Sequence, residues 1–187
     1  PYEEVLDTSD GIPWARWFTG GRTNLAAACV DRWVAETPDA EALRWEGEDG
    51  EVRVLTYADL GRHVDGLAAL LRDRGIGVGD AVGIYLPMLP ETVVAAMAVA
   101  KLGAMFLPVF SGYGAEAIAV RLADAGAKAL LCADGFYRRG KVVPMVDVAR
   151  EAIAAVDTVD TLVVVPRVAP VDEGTEAGVA TLSWPDP

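Results

Sequence analysis

Two stretches of this chain combine residue types and spacings that suit a negatively charged ligand. Phe110-Ser111-Gly112-Tyr113-Gly114 lies between an apolar run, Met105–Val109, and a helical pattern that opens at Ala115. Glycines allow close backbone approach, and the free amides at a helix start favour negative charge. Downstream, Arg138-Arg139-Gly140-Lys141 places three cations in four residues, directly after Phe136 and Tyr137. Guanidinium groups suit bidentate phosphate contacts and stacking on a purine ring. Together the two stretches fit an anion such as a nucleotide or coenzyme. Each also has a plainer reading. The first is a tight turn, and the second is a solvated loop whose charges complement nearby acids.

The rest of the chain limits the chemistry. It has 187 residues and 52% hydrophobic content, enough to form one sizeable folded domain. Acids outnumber bases 28 to 16, a net charge of −12, so long-range repulsion disfavours nucleic acid as a partner. The apolar run Val93–Ala100 is too short for a bilayer, which needs about 20 residues. No basic and apolar leader pattern precedes it, so a cytoplasmic, membrane-free protein is expected. Cys29 and Cys132 lack metal-ligand spacing and read as two reduced, buried thiols. His63, the only histidine, sits inside a helical pattern without a nucleophile or carboxylate partner. It reads as a partly exposed structural residue. Arg121 and Asp124 have i,i+3 spacing, as in a surface ion pair. No GxxxxGK[ST], HExxH or GxSxG motif is present, so neither catalytic residues nor metal ligands are assigned.

The elements that must position these stretches follow from periodicity. Residues 1–23 read as an irregular lead-in. Asn24 caps a helix with Leu25, Cys29, Val30, Trp33 and Val34 on one side. Two short strands, Ala42–Glu46 and Val52–Leu55, form a hairpin. Thr56 and Asp59 mark the start of a helix ending near Gly75. Ala81–Leu86 reads as a strand covered on both faces, followed by a buried helix from Pro90 or Glu91 to about Lys101. Strand Met105–Val109, helix Ala115–Ala125, strand Lys128–Cys132, helix Val143–Ala155 and strand Thr161–Val165 complete the series. This alternation predicts an α/β fold: a mostly parallel sheet covered by helices on both faces. Residues 24–166 form the α/β unit, and 167–187 read as a connector toward something larger. Open parallel sheets bind ligands beyond the carboxyl ends of their strands, where Phe110–Gly114 falls.

Several segments, in order, resemble the N-terminal part of an acyl-CoA synthetase of the adenylate-forming (AMP-binding) superfamily, specifically its acetyl- and propionyl-CoA synthetase branch. Trp17-Phe-Thr-Gly-Gly-Arg-Thr-Asn24 with Asp31-Arg32 is similar to that branch's opening. Leu55-Thr-Tyr-Ala-Asp-Leu60 and Lys101-Leu-Gly-Ala-Met-Phe-Leu-Pro108 resemble two core motifs of the superfamily. Gly79–Glu91 is similar to the strand and turn between them. The resemblance spans about Trp14 to Val165.

The resemblance implies an enzyme that couples a small carboxylic acid with ATP to give acyl-adenylate, then passes the acyl group to coenzyme A. ATP, Mg²⁺ and CoA would be the cofactors of that parent enzyme. The resemblance also implies that Phe110, Ser111 and Gly112 line the CoA nucleotide, with Arg138 and Lys141 on its phosphates and Arg139 as an extra cation. Ser111 stands where the branch has a glycine, and Lys141 where it has an arginine. The family's ATP-phosphate loop, acyl pocket, hinge aspartate and C-terminal lysine would lie after Pro187. The chain alone is therefore expected to be inactive in carboxylate-dependent ATP–pyrophosphate exchange, and faces that normally meet the remainder would promote self-association. Two other roles stay open: a non-catalytic CoA-binding or interaction module, and part of an adenylation domain that loads a carrier protein.

Overall fold

The structure is a computed structural model and describes residues 2–186. Its centre is a six-stranded sheet in the order β11-β12-β10-β7-β5-β6. The strands are β5 (Ala81–Tyr85), β6 (Met105–Pro108), β7 (Ala127–Ala133), β10 (Thr161–Val165), β11 (Gly174–Glu176) and β12 (Val179–Ser183). All neighbours are parallel except β11, which runs antiparallel along β12. Every residue of β5 and β10 is buried, as expected for strands covered on both faces.

Right-handed crossovers fix the layers. The chain goes from β5 through α3 (Pro90–Lys101) to β6 on one side. It returns through α4 (Ala115–Ala125) to β7 on the other side of β5, then continues through α5 (Val146–Ile153) to β10. Reversing direction at β5 puts α3 on one face and α4 with α5 on the opposite face. The helix α2 (Tyr57–Asp73) packs on α3, while α4 packs on α5. The doubly wound order therefore reverses between β5 and β7, where such sheets leave a crevice at their carboxyl ends. The α/β alternation, the buried helix after Pro90 and the doubly covered strand at Ala81 are all found.

Local chemistry explains the element boundaries. Thr56 Oγ1 accepts a hydrogen bond from the Asp59 amide at 3.1 Å, and the Thr56 amide donates to Asp59 Oδ2 at 3.0 Å. This reciprocal pair starts α2, whose Leu60, Val64, Leu67 and Leu71 enter the core. Proline at the first position opens α3, where a missing amide costs nothing.

The outer parts differ from expectation. Residues 1–23 are not irregular throughout: β1 (Glu4–Asp7) pairs antiparallel with β2 (Arg16–Thr19). Residues 167–187, expected as a connector, include β11 and supply β12 as a parallel strand of the main sheet. Short strands such as β1, β2 and β11, mostly exposed, and β12, mostly half-buried, pair through the backbone without a strong side-chain period, so neither region was legible. Asn24 does cap its helix, accepting from the Ala26 and Ala27 amides at 2.9 and 3.2 Å. That helix contains a π-turn, Ala27–Asp31, before α1 (Arg32–Glu36). Ala26 and Val30 are buried, whereas Leu25 and Cys29 are exposed. Only Cys132 is the buried thiol expected, and burial pushes its pKa well above the ordinary thiol value. No described helix is long and apolar enough to cross a membrane.

Candidate functional site

The carboxyl ends of the strands align in register. Tyr85 of β5 sits beside Cys132 of β7, and Ala133 of β7 beside Val165 of β10. Immediately beyond them, loops enclose a cleft of about 350 Å³. Its walls include Phe110, Ser111, Tyr137 and Arg138, together with Trp45 and Arg167. Phe110, Ser111 and Arg138 were expected from the sequence to share a site, and the fold brings them together. Gly112, Arg139 and Lys141 do not line this cleft; they belong to the two turns that carry the residues lining it.

The Phe110–Gly114 turn is held from beneath. The Tyr85 hydroxyl lies 3.3 Å from the Ser111 carbonyl and 3.2 Å from the Tyr113 carbonyl. Burial, with the nearby Cys132, pushes the Tyr85 phenol above its usual pKa, so it remains a donor. The Phe110 ring packs edge-on against Tyr113, with centroids 5.5 Å apart. Gly112 makes room for it, because a Cβ there would lie 2.6 Å from Phe110 Cε1. Ser111 has no positive φ, so this position has no backbone need for glycine.

The basic stretch is not a loose loop but the tip of a hairpin, β8 (Gly135–Arg138) and β9 (Lys141–Pro144). Arg139 and Gly140 occupy the turn with φ of 53° and 71°. Two successive positive φ values suit the right-handed twist of a two-residue hairpin. Arg138 and Lys141 are directly opposite partners, so their side chains leave the same face. None of Arg138, Arg139 and Lys141 takes part in an ion pair among the described residues. Their charges are therefore available to an anion.

Asp134 anchors the base of this hairpin. Its carboxylate accepts from the amides of Gly135 and Arg167 at 2.8 Å each, Val168 at 2.9 Å and Ala169 at 2.6 Å. One side chain thus ties the end of β7 to the exit of β10. Arg167, in turn, reaches the hairpin of β3 (Glu41–Glu46) and β4 (Val52–Thr56). Its guanidinium bonds Glu51 at 2.7 Å and Asp49 at 3.3 Å, and lies over the rings of Trp45 and Tyr137. Trp45 Nε1 also donates to the Met88 carbonyl at 2.6 Å. Neither Trp45 nor Arg167 was singled out from the sequence. Arg167 lies just past a strand end, the location rule that had already selected Phe110.

A second, mostly apolar groove of about 490 Å³ runs alongside β6, with Phe106, Pro108, Phe110 and Tyr113 in its walls. Arg121 is its charged residue. The expected Arg121–Asp124 ion pair is not formed. Arg121 Nη1 donates to the Ala117 carbonyl at 2.6 Å, and its guanidinium covers the Tyr113 ring at 4.4 Å. The aromatic face and the helix carbonyl draw it away from the more exposed Asp124. His63 is half-buried, as expected, and among the described residues no cluster of three or more His, Cys, Asp or Glu is arranged to hold a metal.

The sheet is doubly wound, and the cleft lies at its switch point, where such folds place their ligands. The AMP-binding enzyme family model matches residues 30–185, and the chain belongs to that family. It is 48% identical over 171 residues to an acetyl-coenzyme A synthetase of Mycobacterium tuberculosis, covering 89% of this chain and 26% of the relative. A 3-hydroxypropionyl-coenzyme A synthetase of Sulfurisphaera tokodaii is 43% identical, covering 82% of this chain and 23% of that protein. The solved acetoacetyl-CoA synthetase from Streptomyces lividans superposes with a TM-score of 0.84 at 33% identity, covering 98% of this chain and 27% of that one. The chain thus spans about a quarter of the length of these relatives.

Proposed function

We propose that the chain is the part of an ATP-dependent acyl-CoA synthetase that scaffolds the active site and binds the nucleotide end of coenzyme A. The parent reaction joins a small carboxylic acid and ATP into acyl-AMP with release of pyrophosphate. The acyl group then passes to the CoA thiol. In this reading Phe110, Ser111 and Gly112 receive the nucleotide, Arg138 and Lys141 meet its phosphates, and Arg139 adds a third charge. ATP and Mg²⁺ serve the adenylation step in the parent enzyme, which acts in the cytoplasm.

The observation that carries the proposal is the convergence of Phe110, Ser111 and Arg138, which forms no ion pair among the described residues, on one cleft of a protein with net charge −12. Three relatives named for three different acyl groups match the same stretch. That supports a role in what their names share, coenzyme A, rather than in choosing the acid.

Calorimetry of the 187-residue chain with CoA tests the reading. The wild type is expected to bind, and Arg138→Ala to bind about 10- to 100-fold more weakly, the usual cost of losing a charged hydrogen-bond partner. Equal affinities for the two proteins would refute it.

A further inference from the structure

The cationic hairpin tip is a small structure to hold in one place. Two strands of four residues each are marginal alone, and the tip lies beyond the anchor that Asp134 provides at the base. A second anchor is present at the tip itself, and it comes from a distant part of the chain. The Glu48 carboxylate accepts from the Arg139 amide through Oε1 at 2.8 Å and from the Gly140 amide through Oε2 at 3.3 Å. Successive amides exposed by a positive-φ turn form a concave anion seat, and Glu48 fills it with one oxygen per amide.

Two features separate this contact from an ordinary surface ion pair. Three cationic side chains lie within this turn, yet Glu48 forms no ion pair with any of them among the described residues. Its hydrogen bonds go to the backbone, so the tip is fixed without tying up the charges of Arg138, Arg139 or Lys141. The same two hairpins are also joined by Arg167, which bonds Asp49 and Glu51 on one and lies over Tyr137 on the other. Glu48 is thus one end of a two-point clamp between the β3–β4 and β8–β9 hairpins.

We propose that Glu48 is a positioning residue for the phosphate-binding hairpin, holding Arg138 at the cleft, with Lys141 opposite it in the hairpin, through the Arg139 and Gly140 amides. The inference rests on the nucleotide reading above. A pre-set tip spares the ligand the entropic cost of ordering it, so Glu48, itself in the wall of the cleft, raises affinity through the backbone it holds. The opposing idea is that Glu48 is a counter-charge that an incoming phosphate must overcome. The two ideas differ in sign.

The test uses the 187-residue chain with adenosine 3′,5′-bisphosphate as the probe, comparing wild type, Glu48→Ala, Glu48→Gln and Arg138→Ala. Positioning predicts binding weakened about tenfold in Glu48→Ala, with Glu48→Gln intermediate because its amide oxygen still accepts one bond. Amide hydrogen exchange at Arg139 and Gly140 is expected to quicken about tenfold or more in Glu48→Ala, with the midpoint of thermal unfolding nearly unchanged. Glu48 variants that bind as tightly as wild type, or more tightly, while Arg138→Ala binds weakly, would overturn the positioning role and leave the nucleotide reading intact. If wild type and Arg138→Ala bind alike or not at all, the nucleotide reading fails. The exchange data then decide Glu48: faster exchange sustains its hold on the tip, and unchanged exchange overturns it.

Discussion

The cleft over the β5–β7 switch point and the groove along β6 share Pro87, Met88, Phe110 and Ser111, yet differ in what they offer a ligand. Both contain arginine. In the groove, Arg121 is bonded to the Ala117 carbonyl and laid across the Tyr113 ring, so its charge is already satisfied. In the cleft, Arg167 is satisfied by Asp49, Glu51 and two aromatic rings, whereas Arg138 forms no ion pair among the described residues. Arginine content therefore does not distinguish an anion site from an apolar one. What distinguishes them is a cation left unpaired by a scaffold that uses other groups for its own cohesion. Asp134 and Glu48 form that scaffold by accepting from backbone amides rather than from side-chain cations.

The contrast can be broken most severely at Asp134. Alanine there removes a charged acceptor from four amides and is expected to cost about 3 kcal/mol, lowering the thermal midpoint by about 10 °C. Nucleotide binding should fall with it, whereas the apolar groove, which Asp134 does not line, should still bind a hydrophobic dye. Calorimetric unfolding of Asp134→Ala with stability close to wild type would show that the base of the hairpin needs no such anchor.

Next in size is the difference between the two arginines. The affinity for CoA lost in Arg138→Ala should be absent in Arg121→Ala, whose Kd is expected within about twofold of wild type because its charge is satisfied internally. Similar losses in both variants would mean that the groove, too, attracts the anion.

The smallest expected effect concerns His63, which lies outside both the cleft and the groove. Burial holds the His63 imidazole below its usual 6.5, helped by Arg53 and Arg62 and opposed by Glu91 and Asp59. The unfolded chain therefore takes up this proton first, and stability declines as pH falls below about 6.5, levelling once folded His63 is also protonated. Asp59, held down by Thr56, and Asp80, held down by Lys128, add a separate loss at more acidic pH as those carboxylates protonate. Thermal midpoints measured from about pH 7.5 to about pH 5 should show the upper decline in wild type but not in His63→Gln. A decline of equal size in both would assign it to other groups.

What the sequence made legible was what repeats. Apolar periodicity located the helices and the doubly covered strands, and the Thr56–Asp59 pair marked the α2 start because capping is a local affair. The β8–β9 hairpin was missed because its turn uses Arg139 in a left-handed conformation, which residue type does not advertise. The clamp around the site escaped for a different reason. Glu48 meets Arg139 across 91 residues, and Arg167 meets Glu51 and Asp49 across 116 and 118. Such pairs leave no spacing to read. Phe110, Ser111 and Arg138 were found because each sits at a strand end or in a charge cluster, whereas the residues that hold them belong to other elements altogether.

The protein has two sulfurs that differ in exposure, one beside the π-turn at Ala27–Asp31 and one in the central sheet. Cys132 is sealed in the sheet and stays a thiol, while Cys29 faces solvent on the outer side of its helix. An alkylating reagent therefore distinguishes the two by access alone, without any engineering. The folded chain thus has one chemically addressable sulfur, and the second becomes addressable only when the core opens.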